Sequence, residues 1–260
     1  MTTALITGAS SGIGETFARE LAAKGNDLIL VARSQDKLDL LATELSSKHQ
    51  VKTTVIARDL AQTSAGQSLF DEVQVQGLTV DLLINNAGFG DYGAFGARPL
   101  SKMLAMVQLN ISTVVELTGL FLPLMQARKS GAIINVSSIA AFQPIPYMSV
   151  YAATKAFVLN FSEALWSENK DLGVKILAVC PGPTESKFYD RADFPDSATG
   201  LNGMTMASTD KVVTESLKAL EKGQSHVVAG GFANQIIVTL PRLVPRDLLV
   251  NVVGKQFKNI

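Results

Sequence analysis

Tyr151 and Lys155 stand four residues apart near the start of a stretch with helical patterning, about Val150 to Lys170, so both leave one face of a helix. A phenol has an ordinary pKa of about 10, too high for ready loss of its proton near neutrality. A neighbouring ammonium stabilises the phenolate and lowers that value, so the pair can pass a proton to or from an alcohol oxygen. A tyrosine and a lysine at this spacing are common on helix surfaces and do not suffice alone. Ser138 adds a third group. Its hydroxyl follows an apolar strand, Ala132 to Val136, ending beside the start of that helix, where it can donate a hydrogen bond to a carbonyl oxygen.

A second chemistry is written at the start of the chain. Ala4 to Ile6 reads as a buried strand, Gly8, Gly12 and Gly14 follow, and Glu15 to Ala22 carries apolar residues at helical spacing. Strand, glycine turn and helix aim free backbone N–H groups at a phosphate, and a Cβ in the turn would block a pyrophosphate. The spacing is G-x-x-x-G-x-G, not the common G-x-G-x-x-G. The second strand, Asp27 to Ala32, ends in Val31-Ala32-Arg33-Ser34. A carboxylate there would bind both ribose hydroxyls; instead Arg33 offers a guanidinium suited to a phosphate, with Ser10 able to add a bond. These residues favour NADP(H) over NAD(H).

The elements that must position these groups alternate between strand and helix. Strands are expected at Val51–Ala57, Val80–Asn85, Val174–Val179 and His226–Ala229, and helices at about Gln35–Ser47 (capped by Ser34), Ala65–Val75 and Thr209–Glu221. Pro99 to about Ala127 reads as one long helix with core methionines at 103 and 106, and Pro123 as a kink or an early end. Short joints between βαβ units predict a parallel, doubly wound α/β sheet in one domain. Such sheets bind ligands at the carboxyl ends of their strands, where this chain places the glycine turn, Asn85-Asn86-Ala87-Gly88, Ser137-Ser138 and Cys180-Pro181-Gly182-Pro183-Thr184. Residues 183–208 read as a lid with a short helix.

Thr7-Gly8-Ala9-Ser10-Ser11-Gly12-Ile13-Gly14, Asn85-Asn86-Ala87-Gly88, Asn110, Ser138, Tyr151, Lys155 and Pro181-Gly182 together resemble the short-chain dehydrogenase/reductase family, in order and spacing over about residues 3–185. The resemblance implies a Rossmann-type sheet of about seven strands and a carbonyl reductase. Tyr151 would be the general acid, Lys155 would hold the nicotinamide ribose and lower the phenol pKa, and Asn110 would hold a water reaching Lys155. Ser138, thirteen positions before the tyrosine, is implied as the carbonyl-orienting serine in preference to Ser137. For the cofactor it implies Gly8, Ser10, Ser11, Gly12, Ile13 and Gly14 at the phosphates, and Asp59 with Leu60 at the adenine. Asn86, Ala87 and Gly88 would line the adenosine side, and Pro181, Gly182 and Thr184 would border the nicotinamide. It further implies a homodimer or homotetramer.

Aromatic and apolar residues at 89–95 and 139–148 point to a greasy ketone, a 3-oxoacyl chain or a steroid-like ring. A catalytically silent NADP(H) sensor is the alternative from another class, and a sugar-nucleotide dehydratase or epimerase a third. Lys plus Arg and Asp plus Glu both number 23, so no net field favours nucleic acid. Cys180 is the one cysteine, expected as a buried apolar residue, and His49 and His226 are the only histidines, which argues against a metal site and a Ser-His-Asp hydrolase. No signal peptide and no bilayer-spanning apolar window is expected, and a cytoplasmic location follows by default. The tail, 232–260, is broken by Pro241 and Pro245 and has an apolar face at Leu248, Leu249, Val252 and Val253. It is expected to pack on the domain or a second subunit, to cover the substrate site, or to touch a membrane surface.

Overall fold

Period-two alternation sorts the strand side chains between two helical layers. In the computed structural model, which describes residues 2–195 and 206–258, seven strands form one sheet in which every pairing is parallel. They are β1 (Thr3–Thr7), β2 (Asp27–Ala32), β3 (Thr53–Ala57), β4 (Leu82–Asn85), β5 (Gly131–Val136), β6 (Val174–Pro181) and β7 (His226–Ala229), in the order β3-β2-β1-β4-β5-β6-β7. Ala4, Ile6, Leu28 and Leu30 pack to one side against α1 (Gly12–Ala23) and α2 (Gln35–His49). Leu5, Ile29, Val31 and Leu83 pack to the other, against α3 (Ala65–Val75) and the helix of residues 113–127. With both faces covered, the strands read as continuous apolar runs.

The order reverses direction between β1 and β4, and such a switch point opens a crevice at the carboxyl edge. β3 and β4 start two residues later than the sequence pattern suggests: Lys52 N instead donates to Asp27 Oδ1, and Asp81 accepts from Thr3 N at 2.9 Å. β6 runs two residues further, to Pro181. Ser34 occupies the N-cap of α2 without a side-chain bond, so its expected capping is corrected.

The long helix is α4 (Leu100–Val107), a π-helical turn at Gln108–Ser112 and α5 (Thr113–Ala127), with Pro123 inside α5. This run corrects the expectation about membrane spans. Among the described residues, Leu100–Ala127 is the one helix long and apolar enough to cross a bilayer, with mean hydropathy 1.4. Here it packs on α3 and on α6 (Ser149–Glu168), with Met103 and Met106 buried as expected. Beyond β6 come α7 (Phe188–Arg191) and α8 (Thr209–Glu221), the latter on α1. Residues 196–205 of the expected lid lie outside the described residues. The tail forms α9 (Phe232–Thr239) and α10 (Arg246–Lys258).

Candidate active site

The carboxyl ends of β1, β4, β5 and β6 open into one cavity of about 410 Å3. Its floor holds Gly8, Ser11, Gly12, Ile13, Asn86, Ala87 and Gly88, and its centre Ser138, Tyr151, Lys155, Pro181, Gly182 and Thr184.

Two glycines of the turn take backbone conformations that other residues rarely adopt, Gly8 with φ +68° and Gly12 with φ +58°. A Cβ on Gly8 would sit 2.8 Å from Asn86 Nδ2, and one on Gly14 2.5 Å from the same atom and against the Gly8 carbonyl. Asn86 itself is committed to the main chain, donating to Thr7 O at 2.9 Å. Thr7 Oγ accepts from both Asn86 N and Ala87 N at 3.0 Å. The floor is therefore main chain held by short polar side chains, beside the first-turn N–H groups of α1 that have no intrahelical acceptor. The 2′-phosphate candidates lie outside the cavity wall: Ala9 N donates to Val31 O at 3.2 Å, setting Ser10 beside the end of β2 that carries the exposed Arg33. Asp59 closes a local turn, accepting from Ala61 N at 3.1 Å, and Leu60 is buried with its carbonyl bound by Thr113 at 2.7 Å.

At the centre, Ser138 accepts from Ala140 N at 3.1 Å, and its hydroxyl faces Tyr151 closely enough to lower the phenol's pKa. Ser137 is buried and turned away, donating to the Lys155 carbonyl at 2.7 Å, so it ties β5 to α6. Lys155 Nζ donates to Val136 O at 2.8 Å and lies 5.8 Å from the centre of the Tyr151 ring. Burial pushes the phenol up to about 12, against the lowering by Ser138, and pulls the ammonium down to about 8. Their spacing predicts that Lys155 lowers Tyr151; in the structure burial outweighs the lowering by Ser138, and the phenol is raised.

Asn110 sits in the π-helical turn, buried, with Oδ1 accepting from Phe89 N at 3.2 Å and Nδ2 donating to Phe89 O and Thr154 Oγ at 3.0 and 3.1 Å. It is outside the cavity lining but close behind it: a Cβ on Gly88 would lie 3.0 Å from Asn110 Oδ1 and 3.4 Å from Lys155 Nζ. Cys180 is buried and its thiol pushed up to about 12 by desolvation, an inert packing residue as expected.

Several residues that support the motif positions, Asn135 beside Asn85 among them, escape a motif search. Asn85 Nδ2 donates to Thr118 Oγ and Asn135 Oδ1 at 3.2 and 2.8 Å, and Asn135 Nδ2 to Ser162 Oγ at 2.9 Å, a buried row joining β4, α5, β5 and α6. An asparagine inside an apolar strand was the available signal. Asn234 donates to Ala229 O at 2.8 Å and fills the space a side chain at Gly182 would need.

The cover is aromatic. The Phe188 ring lies 5.2 Å from that of Tyr151, Tyr189 packs on Phe194 at 5.3 Å, and Phe194 stacks on Tyr92 at 4.8 Å. Tail residues Leu249 and Val253 join Met103, Met106, Ile145 and Tyr151 in one apolar cluster, so the tail both packs on the domain and covers the site. The buried Asp91 pairs with Arg98 at 2.6 Å through both carboxylate oxygens and with Lys102 at 2.5 Å; Arg98 and Lys102 also reach Asp193 beyond α7.

Residues 2–193 match the family described as short chain dehydrogenase. The very-long-chain 3-oxoacyl-CoA reductase-A of Danio rerio is 39% identical over 182 residues, 68% of this chain and 56% of that protein. The match thus takes in little more than half the length of such relatives. Among solved structures, a 7beta-hydroxysteroid dehydrogenase superposes with TM-score 0.86 at 26% identity, covering 97% of this chain and 96% of that one. A short-chain dehydrogenase from Sphingobium yanoikuyae in complex with NADPH gives TM-score 0.82 at 29% identity, covering 100% and 96%. Because the family match runs from the first strand through the short helix of the cover, the chain belongs to the short-chain dehydrogenase family.

Proposed function

We propose that this enzyme reduces an apolar ketone to an alcohol with NADPH, Tyr151 acting as general acid. One observation carries the reading: Tyr151, with Ser138 and Lys155 beside it, stands in the wall of a cavity whose floor is a glycine turn and whose cover is apolar and aromatic.

The floor fits a dinucleotide. Gly8 and Gly12 line it in backbone conformations that favour glycine, beside a helix N-terminus suited to phosphate. Arg33 adds the cation that a 2′-phosphate calls for. The bound cofactor would supply hydride. Ser138 donates a hydrogen bond to the substrate oxygen and stabilises its growing negative charge. Tyr151, held protonated by burial, then gives its proton to that oxygen, a transfer that an approaching Lys155 ammonium would ease by lowering the phenol's pKa. Lys155, now donating to the Val136 carbonyl, would hold the ribose of the bound cofactor and ease proton loss from the phenol. Asn110 orders the Phe89 segment and offers a route for a water to Lys155.

The substrate class follows from the cover together with the neighbours. A relative named for very-long-chain 3-oxoacyl-CoA reduction and a structure named for hydroxysteroid chemistry both concern compounds with a large apolar part, an acyl chain or a steroid ring system. Exposed Val115 and Leu124 of α5 and Phe157 of α6 provide apolar surface for pairing with a second copy, which a solution mass measurement would read.

The test is NADPH consumption with a panel of ketones. Tyr151→Phe is expected to lower kcat by about a thousand-fold while NADPH affinity, from fluorescence titration, stays within about two-fold. NADPH binding without turnover, indifferent to Tyr151→Phe, would instead make the protein a sensor.

A further inference from the structure

The tail has two apolar faces, and the fold uses one. Leu249 and Val253 point inward onto the cluster around Tyr151. The outer face stays in water: Phe232 is 80% exposed, Leu243 77%, and Ile236, Leu240, Leu248 and Val252 all more than half. Phe232, Ile236, Leu240 and Leu243 follow one another at helical spacing, as do Leu248 and Val252, so each set forms a ridge. Single exposed apolar residues are ordinary, whereas a continuous ridge marks a surface made for contact.

Charge and position identify the contact. Residues 230–258 contain Arg242, Arg246, Lys255 and Lys258 against one carboxylate, Asp247, an excess of three positive charges in a chain that balances overall. Leu240 and Val252 belong both to the exposed ridge and to the cavity wall, so the ridge is the rim of the cavity. A second copy docked here would bring two cationic tails together and close the rim, which disfavours self-association. An anionic bilayer meets both features, cations at the headgroups and the ridge at the acyl boundary.

We propose that the outer face of α9 and α10 seats the enzyme on an anionic membrane surface with the mouth of its cavity toward the lipid. An apolar ketone then enters from the bilayer without crossing water. That delivery step rests on the function proposed above, but the seating does not, so vesicle binding and turnover fail separately.

Co-sedimentation of the full chain with vesicles tests it. Phosphatidylcholine vesicles with about one-third phosphatidylserine are expected to bind at least about ten-fold more protein than pure phosphatidylcholine, and added salt to weaken the binding. The double variant Ile236→Glu/Leu243→Glu is expected to lose about ten-fold in vesicle binding while its consumption of NADPH with a water-soluble ketone stays within about two-fold. Lys255→Glu/Lys258→Glu, a surface change that spares the ridge, is expected to remove the preference for phosphatidylserine, and keeps the test open if the first variant misfolds. Protein left in the supernatant with both vesicles would overturn the proposal. So would a solution dimer that Ile236→Glu/Leu243→Glu returns to monomer.

Discussion

The glycine turn and the cover form opposite walls of one cavity and are held by different means. At the turn the contacts are main chain to main chain or to short polar side chains: Thr7 Oγ to Asn86 N and Ala87 N, Asn86 Nδ2 to Thr7 O. No side chain can be added there. Over the cover the contacts are ring on ring and aliphatic on ring, fastened by the ionic knot of Asp91, Arg98, Lys102 and Asp193. A wall of main chain suits the part of a ligand that never varies, because substitution cannot retune it. A wall of side chains can be reshaped one residue at a time, as a family with many substrates requires.

The largest way to break this comparison is to add one carbon to the turn. Gly14→Ala places a Cβ against the Gly8 carbonyl and 2.5 Å from Asn86 Nδ2, and neither can yield without moving β1 from β4. A cost near 3 kcal/mol, the upper range for overpacking, would appear in urea unfolding and as a fall in Tm of roughly 6–10 °C. Gly119→Ala is the matched control. Gly119 lies in α5 with nothing near its missing Cβ, so the same change should stabilise by about 0.5–1 kcal/mol. Equal effects at the two glycines would mean that the turn is not the rigid wall described.

The cover answers to charge instead. Arg98→Met leaves the Asp91 carboxylate buried with Lys102 as its remaining close cation. Burial left only partly compensated costs about 2 kcal/mol and should lower Tm by roughly 4–8 °C in a chain of this size. The pH dependence has a definite sign. Burial raises the Asp91 carboxyl, but the hydrogen bonds and charges of Arg98 and Lys102 outweigh it and hold the group below the ordinary carboxylate range. Stability from this group is therefore present above the unfolded value of about 3.9 and is lost as pH falls through the folded one. Asp91→Asn should flatten the acid limb of an unfolding series; an unchanged limb would show that the knot does not fasten the cover.

A smaller effect comes from what the cover buries. Without cofactor the Lys155 ammonium is pulled from 10.5 down to about 8, so the folded chain holds fewer protons than the unfolded one between those values. Stability should then rise with pH from about 8 to about 10, by at most on the order of 2 kcal/mol, before the raised Tyr151 begins to oppose it. Urea unfolding at the two ends of that window would show the rise, and Lys155→Met should remove it.

The two walls also differ in how legible they were. Gly8, Gly12, Gly14, Ser138, Tyr151 and Lys155 could be read because their chemistry demands those residue types within short spans, and the parallel, doubly wound sheet could be read from apolar runs with short joints. The cover could not. Tyr92 meets Phe194 across 102 positions, and Tyr92 Oη donates to the Phe257 carbonyl across 165, contacts that no local period announces. The interruption of the long helix at Asn110 was legible only as a polar residue in an apolar stretch. Its π-helical turn follows from tertiary demands, with Thr113 Oγ donating both to Leu60 O and to Gln108 O. Electrostatics was the least legible: spacing predicts that Lys155 lowers Tyr151, whereas burial by Leu249 and Val253, about 100 residues away, decides the direction.

The finest sharpening of the comparison is at Phe188. Its ring covers Tyr151 and fits only because residue 90 is glycine, whose added Cβ would lie 2.6 Å from Phe188 Cζ. Phe188→Ala opens space in front of the phenol without touching the turn, so NADPH affinity should hold. The room gained favours a bulky ketone over a small one, a difference of about 1 kcal/mol in transition-state binding, or roughly five-fold in the ratio of their kcat/KM values. Water admitted to the phenol should also draw its pKa back toward its ordinary value, moving the alkaline limb of the pH–rate profile downward. If the ratio and the limb both stay fixed while NADPH affinity falls, Phe188 belongs to the cofactor wall, and the division between a main-chain wall and a side-chain wall is drawn in the wrong place.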